Sequence, residues 1–129
     1  MPHVYADARL LDRKPKIGDF ECVYLVKHYT GLGWTGSWRE GEKVVGNTHI
    51  AIGTAIATFV DGKWPGLATG NHSGFYMGQV SNGIYILDQW PSMISKPLIS
   101  KRFIYRQGKD KNGNYNRPTE NADAFSIIK

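Results

Sequence analysis

Only one long stretch of this chain carries the period of a helix. Across residues 19–30, Cys22, Leu25, Val26 and Tyr29 fall at i, i+3, i+4 and i+7, one face of a 3.6-residue turn. Gly31 follows, where a left-handed cap is cheap. A shorter helical turn is read over Ala6 to Asp12, ahead of a polar loop holding Pro15. Beyond Gly31 comes a Gly-, Trp- and charge-rich stretch, residues 31–48, read as loop. The remaining apolar runs are short and β-branched: 50–60, 72–80, 84–90, 99–106 and 124–128. Asp61-Gly62, Ser81-Asn82-Gly83 and Asp110 to Asn114 punctuate them as turns. One helix followed by successive strands predicts an α+β fold with an antiparallel sheet. No repeat or linker divides the 129 residues, so residues 1–129 are read as a single domain.

The chain holds a single cysteine. It can form no internal disulfide and no multi-cysteine metal site, so packing must hold the fold. That cysteine, Cys22, sits in the first turn of the helix, after Gly18 and Asp19. Helix starts present unpaired N–H groups and partial positive charge, which favour thiolate over thiol. A small buried hydrophobe is the alternative role for a lone cysteine.

A thiol nucleophile needs an imidazole to hold its proton and a third group to orient that imidazole. Of four histidines, His28 lies six positions along the same helix and points elsewhere, while His3 is near the terminus. His49 can head a strand. His72 is the best base, because it opens the apolar run Ser73-Gly74-Phe75-Tyr76-Met77-Gly78. The neighbouring strand, Ile84-Tyr85-Ile86-Leu87, runs into Asp88-Gln89-Trp90. Asp88 is the candidate orienter, and Trp90 can shield its bond from water. Gln89 competes for the role from the opposite face of the strand. A plain two-residue turn at Asn82-Gly83 would put His72 and Asp88 on opposite faces. The pairing therefore requires a longer loop or a β-bulge, expected near Gly78.

His72, a short hairpin and Asp88-Gln89-Trp90 resemble the histidine, hairpin and Asn-Ser-Trp arrangement of papain-type enzymes. Glu21-Cys22-Val23-Tyr24-Leu25-Val26-Lys27 is similar to the cysteine helix of CHAP and NlpC-type amidases. His72 to Gly78 is similar to their histidine strand. Size and basic charge bring the chain nearest to the small type VI secretion amidase effectors. The resemblance implies a papain-like fold, the helix with the nucleophile packed on the sheet. It implies a peptidoglycan amidase in which Cys22 attacks a stem-peptide or cross-link amide, His72 moves the proton and Asp88 orients His72, with no metal or cofactor. It further implies delivery by the type VI apparatus and a cognate immunity protein. One departure is the absence of a Gln ahead of the cysteine, where Lys14-Pro15-Lys16-Ile17 stands. Val23 also replaces the aromatic that often follows a protease cysteine.

The net charge of +5 favours a polyanion: nucleic acid, anionic membrane or bacterial wall. The resemblance selects the wall, with no nucleic acid and no membrane insertion. Basic residues are densest between Lys96 and Lys111. Met1 to Asp7 has no apolar core of a signal peptide, which predicts synthesis in a bacterial cytoplasm and action in the periplasm of a target cell. Trp34 and Trp38 can line a glycan or peptide groove together with Trp90, or can be core. Asp110 to Asn114 lacks the spacing of a calcium loop. Asn71-His72-Ser73 matches a glycosylation triplet with no secretory context to support it. Alternative readings are a phage-type endolysin domain, a Cys-His-Asp protein deamidase or transglutaminase, and a non-catalytic basic wall-binding module. The last predicts that Lys101 and Arg102 form the working surface.

Overall fold

The computed structural model describes residues 2–129. One α-helix, α1 (Cys22–Thr30), packs on a six-stranded sheet. The strands are β1 (Glu40–Lys43), β2 (Ala55–Thr58), β3 (Ser73–Val80), β4 (Gly83–Asp88), β5 (Ser100–Tyr105) and β6 (Phe125–Ile128). Their spatial order is β1-β6-β2-β3-β4-β5, and every neighbouring pair is antiparallel. The last strand thus enters the middle of the sheet, between β1 and β2. No helix of the described residues is long and apolar enough to cross a membrane.

Both faces of the sheet are covered, which is why its strands read as apolar runs rather than clean alternations. Leu25 and Val26 of α1 pack with Ala55, Ala57, Phe75, Leu87 and Ile128 on one face. Ile56, Tyr76, Ile84, Ile86, Ile104 and Phe125 fill the other, with Val44 and Ala122. Each such fully buried Leu, Ile or Phe contributes roughly 1.5–3 kcal/mol.

The sequence-derived boundaries shift in places. The helix begins at Cys22 rather than at residue 19, because the Asp19 carboxylate takes the Glu21 N–H at 3.0 Å in a turn of its own. It stops at Gly31, whose φ of 75° lets its N–H bond back to the Lys27 carbonyl at 2.9 Å. The run 50–60 yields only the four residues of β2. Gly53, at φ 92° and with the Tyr5 carbonyl against it, breaks the run ahead of β2. Inside the expected loop 31–48 lies β1, an edge strand of sequence Glu-Gly-Glu-Lys. Its charges hid it from a hydrophobicity reading and are what an edge needs to resist foreign pairing.

The β3–β4 hairpin resolves the question of faces. Its loop is a two-residue one, Ser81-Asn82, with Val80 opposite Gly83. Gln79 pairs with Ile84, yet Tyr76 pairs with Ile86, so Met77 and Gly78 together oppose Tyr85. This one-residue bulge shifts the parity of the strand beyond it. Leu87 then faces Phe75, and His72 and Asp88 share a face. Gly78 sits at φ 120°, a region nearly closed to other residues.

A Cβ at Gly78 would meet only the tip of Ile52, at 3.9 Å, so a substitution there tests the backbone alone. Gly78→Ala should cost about 1–3 kcal/mol of stability, measured by urea unfolding. No loss would mean that the bulge does not depend on the glycine.

Candidate functional site

The C-terminal end of β4 organises the site from both of its faces. On one face Asp88 is fully buried, and its Oδ2 lies 2.7 Å from His72 Nε2. Oδ2 also accepts from Arg102 Nε at 2.9 Å. Lys96 Nζ stands 2.7 Å from Oδ1, as a close ion pair rather than an aligned hydrogen bond. Lys96 donates its remaining protons to the Ser100 carbonyl and hydroxyl. Arg102 reaches on to Glu120 at 2.6 Å. A single carboxylate thus serves three basic groups.

On the other face, Gln89 is also fully buried. Its Oε1 accepts from the Ile17 N–H at 3.1 Å, and its amide nitrogen donates to the carbonyls of Ile17 and Glu21 at 3.2 and 2.9 Å. Lys16 adds donations to the carbonyls of Trp90 and Ser92. The loop that delivers Cys22 is therefore fastened to the strand end that holds Asp88. That loop bends sharply, with Gly18 at φ 61° and Phe20 at φ 69°. A Cβ at Gly18 would stand 2.5 Å from the Tyr24 ring, so a side chain there would displace that ring as well as strain the backbone.

Cys22 is buried at the first position of α1. Burial alone would push the thiol up. The hydrogen bond and charge of His72, and contacts from Ser73, outweigh it and hold the thiol below its ordinary value. His72 moves the other way. Burial would push it down, but the Asp88 bond and then the Cys22 thiolate raise it to about 9. Asp88 is pulled down to about 2 against the cost of its burial, by His72 first and then by Arg102 and Lys96. At neutral pH these values describe an imidazolium with a carboxylate behind it, beside a thiol held below its ordinary value.

Trp90 is half-buried over this cluster. Its ring lies edge-on to His72 at 6.0 Å, with Lys96 Nζ at 4.7 Å and Arg102 Cζ at 5.0 Å from its centre. Cys22, His72, Asp88 and Trp90 are thus brought together as the sequence suggested. Trp38 is not with them: it is 1% exposed, packed edge-on against Trp64, and belongs to the core. Trp34 is 75% exposed and follows the C-terminal end of α1, while Cys22 opens the helix. His28 stacks among Tyr24 and Tyr29, and His49 is exposed.

The structural roles of four residues escaped the sequence reading. Lys96 and Arg102 look like part of a basic surface, yet Lys96 is 3% exposed and Arg102 turns inward to Asp88 and Glu120. The expectation of a binding face built on Lys101 and Arg102 is corrected accordingly. Gln89 appears as a rival orienter but holds backbone instead. Ser73 carries a buried hydroxyl with no hydrogen-bond partner among the described residues. For Lys96 and Arg102 the only available signal was the Asp88 carboxylate itself, since one buried imidazole leaves a carboxylate oxygen uncovered.

One helix against an antiparallel sheet, with the cysteine opening the helix and the histidine and aspartate on paired strands, is the papain-like α+β class. The chain belongs to the domesticated amidase effector 2 family, whose model matches residues 12–128. It is 42% identical over 132 residues to the type VI secretion amidase effector 2 protein of Salmonella typhi, covering 99% of each chain. It is 35% identical over 112 residues to the domesticated amidase effector 2 of Ixodes scapularis, covering 84% of this chain and 70% of that protein. Its fold superposes on a solved structure of type 6 secretion amidase effector 2 with a TM-score of 0.93 at 40% identity, over 98% of this chain and 94% of the other. The resemblance drawn from the sequence motifs is thereby upheld.

The charges set a pH window for stability. Asp88 is lowered on folding, so its contribution is complete above an unfolded value of about 4 and is lost as pH falls towards 2. His72 is raised, so its contribution is complete below about 6.5 and is lost as pH rises through about 9. Both act fully between about pH 4 and 6.5. In urea titrations, Asp88→Asn should be less stable than the parent at pH 5. It should also lose on the order of 2 kcal/mol less than the parent between pH 4 and pH 2. Parallel acid limbs would contradict the assignment.

Proposed function

We propose that this protein is a cysteine-type peptidoglycan amidase in which Cys22, His72 and Asp88 carry the reaction. The observation that supports this most is the 2.7 Å bond from His72 Nε2 to buried Asp88. It leaves Nδ1 as the ring nitrogen for the Cys22 thiol. The titration directions agree: the thiol is lowered and the imidazole raised by one another.

In the reaction, the Cys22 thiolate attacks an amide carbonyl of a stem peptide or cross-link and forms a C–S bond. The negative charge that develops on the carbonyl oxygen lies at the start of α1, where the Cys22 N–H can donate to it. His72 gives its proton to the departing amine nitrogen as the C–N bond breaks. A water then loses a proton to His72 and attacks the thioester, and the C–S bond breaks to restore the thiolate and free the carboxylate product. Asp88 keeps Nε2 protonated throughout, so that Nδ1 is the nitrogen that works. Gln89 takes no part as an oxyanion donor, because both of its amide protons are engaged by the carbonyls of Ile17 and Glu21. No step draws on a metal or cofactor.

Family membership supports the wider setting. The protein is delivered by a type VI apparatus into the periplasm of a target cell, cuts the wall there, and is held in check by an immunity protein in its producer. A net charge of +5 suits both an anionic wall and an acidic inhibitor, chiefly through the rate of encounter. An inward-facing Arg102 weighs against the non-catalytic module.

Cys22→Ala should abolish lysis of purified sacculi, a loss of at least about 10³-fold in rate for removal of a nucleophile. Its thermal unfolding should remain that of a folded protein. Mass spectrometry of the digest distinguishes cleavage between D-glutamate and diaminopimelate from cleavage of the diaminopimelate–D-alanine cross-link. Lysis by Cys22→Ala at the parent rate would sink the amidase reading.

A further inference from the structure

At one end of the sheet the strands stop in a row. His72 stands just ahead of β3, Thr58 closes β2, Phe125 opens β6 and Lys43 closes β1, each beside the next by strand pairing. A groove of about 550 Å³ runs across these ends, a size that holds a ligand of a few residues. Its inner end meets the backbone that carries His72: Thr58 lines it, and the Thr58 hydroxyl accepts the His72 N–H at 3.0 Å. Val60 and Leu67 give it an apolar wall, each more than half exposed. Its outer end is cationic. There Lys43 Nζ and Lys109 Nζ lie 4.6 and 4.8 Å from the centre of the Tyr115 ring. The turn from Asp110 to Asn114, which is no calcium loop, builds this end. The Asp110 carboxylate accepts the N–H groups of Asn112 and Asn114 at 2.9 and 3.0 Å, and Lys109 pairs with Tyr115 across the turn. Two ammonium groups that share one ring repel each other. Glu40 answers only Lys43, at 3.2 Å, and is shared with the Ser126 hydroxyl at 2.6 Å. Lys109 is paired with no carboxylate among the described residues. Asp61, the other acidic residue on the lining, belongs to the turn between Val60 and Lys63. The lysine pair therefore has capacity left for an anion.

We propose that this groove is a stem-peptide subsite in which Lys43 and Lys109 hold a carboxylate of the peptide beside Tyr115. Three strand spacings separate His72 from Lys43, about 14 Å, which is the length of about four extended residues. The carboxylate held there lies about three or four residues along the peptide from the amide being cut. The apolar wall between the two ends suits the methyl groups of alanyl residues. Binding far from the reacting amide also helps to hold that amide in place, because the peptide is then fixed at both ends. The inference rests on the amidase reading, but its test needs no turnover.

The test is calorimetric binding of two probes to the full-length Cys22→Ala protein. One probe is the tetrapeptide L-alanyl-γ-D-glutamyl-diaminopimelyl-D-alanine, and the other is the same peptide with its carboxylates converted to amides. The acid form should bind about five- to tenfold more tightly than the amide form. Adding Lys43→Met and Lys109→Met should erase that preference and leave binding of the amide form unchanged. Both lysines are exposed, so their removal spares the core. A second pair guards against a mere effect of net charge. Lys14→Met with Lys101→Met removes the same charge from exposed positions that do not line the groove, and should keep the preference. Three results would overturn the proposal: no binding or no preference in the Cys22→Ala protein, a preference that survives loss of Lys43 and Lys109, or an equal loss in the second pair. Because binding is read without cleavage, failure here is distinct from failure of the amidase reading, which the lysis assay alone decides.

Discussion

Everything at this site depends on keeping one carboxylate ionised in a place where water cannot reach it. Burying an unpaired carboxylate costs several kcal/mol after relaxation, and the ordinary outcome is that it takes up a proton. Asp88 escapes that outcome because His72, Arg102 and Lys96 crowd its two oxygens within 2.9 Å. Each of those cations would in turn be costly alone, and each is completed elsewhere. Arg102 has Glu120, Lys96 has the Ser100 oxygens, and Trp90 lies over both. Breaking such a cluster at its centre leaves uncompensated charge, which is far worse than never having built it.

The same strand end explains how a loop and a sheet are held to the tolerance that proton transfer demands. A nucleophile and its base must meet within a few tenths of an ångström, and loops alone rarely hold that. Here adjacent residues of β4 point to opposite faces. Asp88 fixes the imidazole on one side, and Gln89 fixes the backbone at Ile17 and Glu21 on the other. Any shift of the strand moves both anchors together, so the relative placement of Cys22 and His72 is insensitive to it. The bulge at Met77-Gly78 is the further condition, since without its extra residue the parity of β3 would send His72 away from Asp88.

How much of this was legible from residue order follows from where each signal is local. The helix and the main strands follow from periodicity, the condition of a bulge near Gly78 from turn chemistry, and the candidacy of Cys22, His72 and Asp88 from residue chemistry together with the family resemblance. The position of β6 between β1 and β2 does not, because it depends on a return of the chain from Tyr105 to Phe125 that no local pattern encodes. Strand β1 was hidden by its charges. Lys96 and Arg102 were misread because a basic residue in sequence carries no mark of which way it turns, and only the partner carboxylate decides. Gln89 shows the converse: alternation placed it correctly on the far face, but what awaited it there was backbone from a segment 72 positions earlier.

Sharing Asp88 among three cations has a consequence for timing. On the mechanism proposed above, the protonated form of His72 is supported first by the Asp88 carboxylate and then by Cys22, both of which raise it. A base with that much support would be a poor acid, and the leaving amine would wait for its proton. In the proposed reaction, attack on the carbonyl removes the thiolate charge into a neutral C–S bond, so one of the two supports disappears at the moment the proton is needed. What remains is Asp88, whose charge is already divided with Arg102 and Lys96 and so grips the imidazolium less than a solitary carboxylate would. The cationic neighbours that make the carboxylate tolerable in the interior are, on this argument, also what keeps His72 from holding its proton too long.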